Sequence, residues 1–206
     1  MALALVAPVA AQSPLDAVAD SLGGAGAVDA VSSITTRLRG QADLAGRAVR
    51  IRVVRTVTLP DRARIDVRIG GTGQTLEIGP DSSVVRGEPG RRLRPAEEVA
   101  GRQSVWLDPF VLVARRREVT VERLDADLLR LSVPSFPEPV LLRLGPEGWP
   151  RLLSTFRSTG EAREYLEVRY TDYREVDGLM HPHHTEQAVG GVVTGTVTVE
   201  SVRLEH

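Results

Sequence analysis

The sequence predicts a mainly β protein, a highly curved antiparallel sheet or open barrel covered by a few helices. Three observations carry that expectation. Apolar and polar side chains alternate through stretch after stretch of the 206 residues, each bounded by Gly, Pro or Asp. Helical spacing of apolar residues occurs at two places only. No internal repeat, long linker or low-complexity tract divides the chain, so about ten strands have to share one core as a single domain.

After Pro14, the residues Leu15, Val18, Ala19 and Leu22 recur at helical spacing, Gly23-Gly24 end that helix, and Ala27 to Val31 form a short second one. From Ala48 to Leu59, the side chains Val49, Ile51, Val53, Val57 and Leu59 alternate with Arg50, Arg52, Thr56 and Thr58. Beyond the Pro60-Asp61 turn, Ala63, Ile65, Val67 and Ile69 alternate with Arg62, Arg64, Asp66 and Arg68. The two runs make a long antiparallel hairpin with one apolar and one charged face. Gly70-Gly71-Thr72-Gly73 turns the chain, Leu76 and Ile78 continue the alternation, and Gly79 to Ser82 turn it again before Val84-Val85. One or two helices are expected between Pro95 and Ala114, interrupted near Asp108-Pro109, because Pro and acids at 95–98 suit a helix start. Beyond Glu118 short strands return, at 119–123, 128–133, 140–144, 152–156, 164–176, 180–188 and 192–202, with Asp177-Gly178 as a hairpin turn.

A hydrophobic fraction of 42% with 26% charged residues is ordinary for a soluble globular protein, and a net charge of −1 removes any global attraction to nucleic acid or anionic membranes. All 26 basic residues are arginine, which fits a GC-rich genome. The absence of cysteine excludes disulfides, thiolate metal sites, a cysteine nucleophile and lipid attachment through cysteine. Residues 1–11, MALALVAPVAA, are small and apolar, with Val9 and Ala11 placed as a signal peptidase requires, and read as the remnant of a signal peptide and hence of export to the periplasm. An apolar N-terminal strand or helix is the alternative. The stretch is too short, and interrupted by Pro8, to span a membrane. Leu204-Glu205-His206 reads as a tag remnant, which leaves residues 12–203 as the domain.

Three segments resemble a known family. Ser21-Leu22-Gly23-Gly24, followed by Val28-Asp29-Ala30-Val31 and Arg39-Gly40, resembles the start of outer-membrane lipoprotein-sorting (LolA/LolB-like) proteins. The passage from Asp81 to Val99, with Arg94-Pro95-Ala96-Glu97-Glu98, is similar to their central strand-to-helix segment; Tyr170-Thr171-Asp172-Tyr173-Arg174, Val176-Asp177-Gly178 and Pro182-His183 resemble their C-terminal hairpin. The resemblance implies an unclosed antiparallel barrel curved around a hydrophobic cavity, with helices as a lid. It implies a carrier, not an enzyme, without a cofactor. No counterpart of that carrier's lid arginine is placed by the sequence.

The densest metal-capable set is His181, His183 and His184 with Asp177 and Glu186 nearby; in an extended strand His181 and His183 share one face. The alternative is a hairpin return whose other histidines are exposed, and no metal site is assigned. No G-x-S-x-G turn supports a serine nucleophile, and the glycine run at 70–73 follows a hairpin with no lysine or helix after it, so it is a turn and not a phosphate loop. Arg86, Arg91, Arg92 and Arg94, joined by Arg115 to Arg117, could face phospholipid headgroups or an acidic partner; the alternative is a solvated loop balanced by nearby acids.

With aromatics at 4%, branched aliphatic side chains dominate the inner face, which suits an acyl chain held by area at roughly 25 cal/mol per Å2. The expected ligand wall is Val49, Ile51, Val53, Ile65, Val67, Ile69, Leu76 and Ile78, with Trp106 and Phe110 on the lid as core staples first and ligand contacts second. The expected partner is a lipid, acyl chain or lipoprotein bound by a monomer, with no nucleic acid. The alternative is an envelope protein-interaction module whose helices fill the interior.

Overall fold

The computed structural model describes residues 13–44, 46–80, 83–86, 91–92, 95–134, 136–159 and 162–206. Helix α1 (Pro14–Ser21) starts in a capping box, in which the Ser13 hydroxyl accepts from the Leu15 N–H and the Asp16 carboxylate accepts from the Ser13 N–H at 3.1 Å. Its face of Leu15, Val18 and Ala19 is buried, and a short α2 (Ala25–Ala30) follows the Gly23-Gly24 break.

Six strands then form a meander: β1 (Ser33–Leu44), β2 (Arg47–Thr58), β3 (Arg62–Ile69), β4 (Thr72–Ile78), β5 (Ser83–Arg86) and β6 (Arg91–Arg92). Helices α3 (Pro95–Trp106) and α4 (Pro109–Ala114) and a 3-10 turn at Arg116–Glu118 lead into a second meander. It comprises β7 (Thr120–Arg123), β8 (Leu128–Ser132), β9 (Val140–Leu144), β10 (Pro150–Thr159), β11 (Ala162–Val176), β12 (Leu179–Val189) and β13 (Val192–Glu205). β1 pairs antiparallel with β13, which joins the meanders into one sheet of order β6-β5-β4-β3-β2-β1-β13-β12-β11-β10-β9-β8-β7.

This is the mainly β, unclosed architecture the sequence predicts, with 13 strands among the described residues instead of about ten. The sheet is strongly curved: α3 packs against both β4 and β10, although six strands separate them in the sheet. Register shifts at Arg37/Leu38 and Gln187/Ala188, and Asp172 at φ 55, supply local bends of the kind that add twist. One hydrophobic cluster unites α1, α4 and β8 to β12, from Leu15 and Leu22 through Phe110 and Leu112 to Leu129, Leu142, Leu153 and Leu179.

The two ends that carry the family resemblance meet in space. The Met180 N–H donates to the Leu22 carbonyl at 2.8 Å, and a Cβ on Gly23 would lie 2.4 Å from the Gly178 carbonyl oxygen. Gly23 therefore has to be glycine, both for this approach and for its φ of +128. Two strands are unforeseen in the sequence, the long β1 and the two-residue β6. β13 runs through Leu204 and Glu205, with Leu204 opposite Ile34 and buried. Residues 1–11, Asp81, Ser82 and Arg94 lie outside the described residues.

Candidate functional site on the concave face

The face of the sheet turned toward the helices is set by register. On β1 it presents Ile34, Thr36, Leu38, Gly40 and Ala42; opposite them on β2 stand Val57, Arg55, Val53, Ile51 and Val49. Ala63, Ile65, Val67 and Ile69 continue the rows on β3, and Leu76 and Ile78 on β4. All eight strand residues expected to form a ligand wall therefore share this face.

Burial along the rows is graded. Ile34, Val57, Ala63 and Ile78, at the end beneath α3 and α4, are buried. Leu38, Val49, Ile51, Val53, Val67 and Ile69, toward the other end, are only half-buried. The helices cover one half of the concave face and leave an aliphatic half in partial contact with solvent. Trp106 and Phe110 lie in the covered half: Phe110 is 1% exposed within the core, and Trp106, at 3%, carries the Arg115 guanidinium over its ring at 3.9 Å. They act as core staples.

Between the two halves lies a cavity of about 170 Å3 lined by Leu38, Val168, Val197 and Val199 together with Arg55, Asp108, Tyr170 and His181. Asp108 caps α4, accepting from the N–H groups of Phe110 at 2.8 Å and Val111 at 3.1 Å, and its other oxygen pairs with Arg55 of β2. The Tyr170 hydroxyl donates to the Leu107 carbonyl at the same helix junction. Burial brings the Arg55 pKa down to about 10, so it stays charged at neutral pH, and raises that of Tyr170 well above its ordinary value. Burial, reinforced by the charge of Arg55, pushes His181 down to about 3. Two buried nitrogens lining it have no hydrogen-bond partner among the described residues, Arg55 Nε and His181 Nε2.

His181 and His183 share one face, as an extended strand requires, but His181 is not exposed as the hairpin-return reading expects. Both are buried, with ring centroids 5.9 Å apart and edge to face, and the Nδ1 of His181 lies 2.8 Å from the Pro182 carbonyl. Among the described residues no cluster of three or more His, Cys, Asp or Glu side chains could hold a metal ion. The proposed basic cluster is dispersed: Arg86 pairs with Glu77, Arg115 with Glu118, and Arg116 is buried against Asp16 and Asp29 at 2.6 Å each. The side chains of Arg91, Arg92 and Arg94 lie outside the described residues.

The residue the sequence reading missed is Arg55. Its signal was present: Val49, Ile51, Val53 and Val57 place position 55 on the apolar face, where an arginine interrupts the alternation.

No family model matches the sequence, and no curated protein matches it. Solved structures do. A domain from Vibrio parahaemolyticus, described as that of an outer membrane lipoprotein-sorting protein, superposes with a TM-score of 0.54 at 10% identity over 93% of each chain. A LolA superfamily protein from Nitrosomonas europaea gives 0.54 at 14% identity over 92% of this chain and 94% of its own. The chain has the LolA-type fold. The curved sheet is the half-barrel of that fold, α3 and α4 cap it, and Arg55 with Asp108 ties one to the other.

Proposed function

We propose that this LolA-type protein is an exported, monomeric, non-enzymatic carrier that holds a lipid, an acyl chain or the acyl moiety of a lipoprotein on the uncovered half of its concave face. The observation that carries the reading is the graded burial of one aliphatic face. Leu38, Val53 and Val67 form one row, Gly40, Ile51 and Ile69 the next, and all are left half in solvent by the lid. Such a surface gains roughly 25 cal/mol for each Å2 it buries against an acyl chain and asks for no directional contact. Arg55 reaches from the sheet to the helices, where it pairs with Asp108.

A second reading has its own support. The cavity beneath the lid holds only about 170 Å3 and is partly polar, which favours an interaction module with a filled interior. Organic extraction of the purified protein followed by lipid mass spectrometry, with displacement of a fluorescent fatty acid, separates the two. A carrier yields a stoichiometric acyl species, and Val67→Asp, folded by circular dichroism, binds the probe at least about tenfold more weakly, since a charge then sits in an apolar site. An empty protein that also fails to bind the probe leaves the interaction module.

A further inference from the structure

On the face of the sheet opposite the lid, charges that balance over the whole chain are segregated. Two adjoining depressions of about 710 and 810 Å3, whose linings also take in Leu38, Ile51, Val53 and Val67 of the inner rows, are walled by Arg37, Arg39, Arg50, Arg52, Arg64 and Arg68 against two acids, Asp66 and Glu200. Arg64 lies 3.2 Å from Asp66 and Arg39 3.4 Å from Glu200; among the described residues Arg37, Arg50, Arg52 and Arg68 have no ion-pair partner. Register sharpens the imbalance. Arg39, Arg52 and Arg68 stand directly opposite one another across β1, β2 and β3, three like charges in a row. Directly opposed like charges destabilise a sheet. At the edge of the patch Glu77 stands opposite Arg64 at 3.2 Å, and elsewhere this sheet opposes unlike charges, as in Glu122 with Arg130 and Arg169 with Glu186.

An apolar rim lies at one end of these strands. The β1–β2 and β12–β13 hairpins lie side by side because β1 pairs with β13 down to Ala42 opposite Gly195, and their tips expose Leu44 (46%), Val192 (68%) and Val193 (46%). Guanidinium groups that fork onto phosphate, beside aliphatic tips that prefer the acyl boundary, match an anionic bilayer surface. Nucleic acid fits poorly, since no aromatic side chain lines either depression for base stacking.

We propose that this arginine face and its apolar hairpin rim dock the protein, reversibly, on membranes rich in anionic phospholipid. The face is distinct from the concave ligand wall and requires no bound lipid. Cosedimentation of the full chain with vesicles of phosphatidylcholine alone, or with about one-third phosphatidylglycerol, tests it. Binding is expected to the anionic vesicles only, to vanish at about 1 M salt, where the screening length is about 3 Å, and to weaken at least about tenfold in Arg50→Glu/Arg52→Glu. Val192→Asp weakens it independently, and Arg50→Ser/Arg52→Ser replaces the charge reversal if that variant does not fold. Equal binding to neutral vesicles, or binding untouched by these substitutions, overturns the proposal. So does binding of soluble polyglutamate without binding to vesicles, which would assign the face to an acidic protein.

Discussion

At pH 7 the imidazole of His181 is neutral, because burial first and the charge of Arg55 second push its pKa down to about 3. An unfolded chain takes up that proton near pH 6.5, so between about 6.5 and 3 the unfolded state binds one proton more than the native state. The contribution to stability is complete above about pH 6.5 and is lost as pH falls, at about 1.4 kcal/mol per unit. His183, also lowered by burial, acts in the same direction. Urea unfolding should accordingly show about 2 kcal/mol less stability at pH 5 than at pH 7, and His181→Gln should remove most of that difference. A His181→Gln protein with the wild-type slope would place the proton elsewhere. Two residues beside this imidazole also show how far sequence reading reaches. Arg55 breaks the alternation yet is missed in the sequence, and Asp108 reads there only as the point where the helices are interrupted; their pairing joins residues 53 apart in the chain and belongs to the fold.

The strand alternations, helix breaks and turns of the long hairpins were legible because each apolar run is continuous. β1 was not, because its inward positions are Thr36, Leu38, Gly40 and Ala42, too small to write a period of two. Smallness there has a reason. A Cβ on Gly40 would lie 1.9 Å from the Thr196 carbonyl oxygen and 2.8 Å from the Val197 Cα, both backbone atoms of β13. Gly40→Ala must therefore push β1 and β13 apart, and is expected to cost about 3 kcal/mol in urea unfolding. Gly26→Ala, in α2 with nothing within 4 Å of the new methyl, should be neutral or stabilising by up to about 1 kcal/mol. Equal effects of the two would mean that the close approach in the central strand pair is relaxed in solution.

Viewed as a whole, the molecule is a curved sheet and a helical cap held together by core packing and a few buried polar contacts. Arg55 with Asp108 and Tyr170 with Leu107 join sheet to cap, while Arg116 with Asp16 and Asp29 ties the 3-10 turn after α4 to α1 and α2. Removing one member of a buried pair strands the other charge. Arg55→Leu should lower unfolding stability by about 3 kcal/mol, and Arg55→Leu/Asp108→Asn, which keeps a capping side chain, should recover part of it. If Arg55→Leu unfolds at the wild-type urea midpoint, the pair does not fasten the cap.

The pairing of β1 with β13 carries a consequence for how the chain comes to be folded. Each meander can assemble from neighbours in sequence, but the seam between them opposes Ser33 with Glu205. The largest possible loop must close before the sheet is continuous, and such non-local pairing is slow. Until β13 meets β1, the polypeptide is two unsealed half-sheets, each with an open edge that only the other can close.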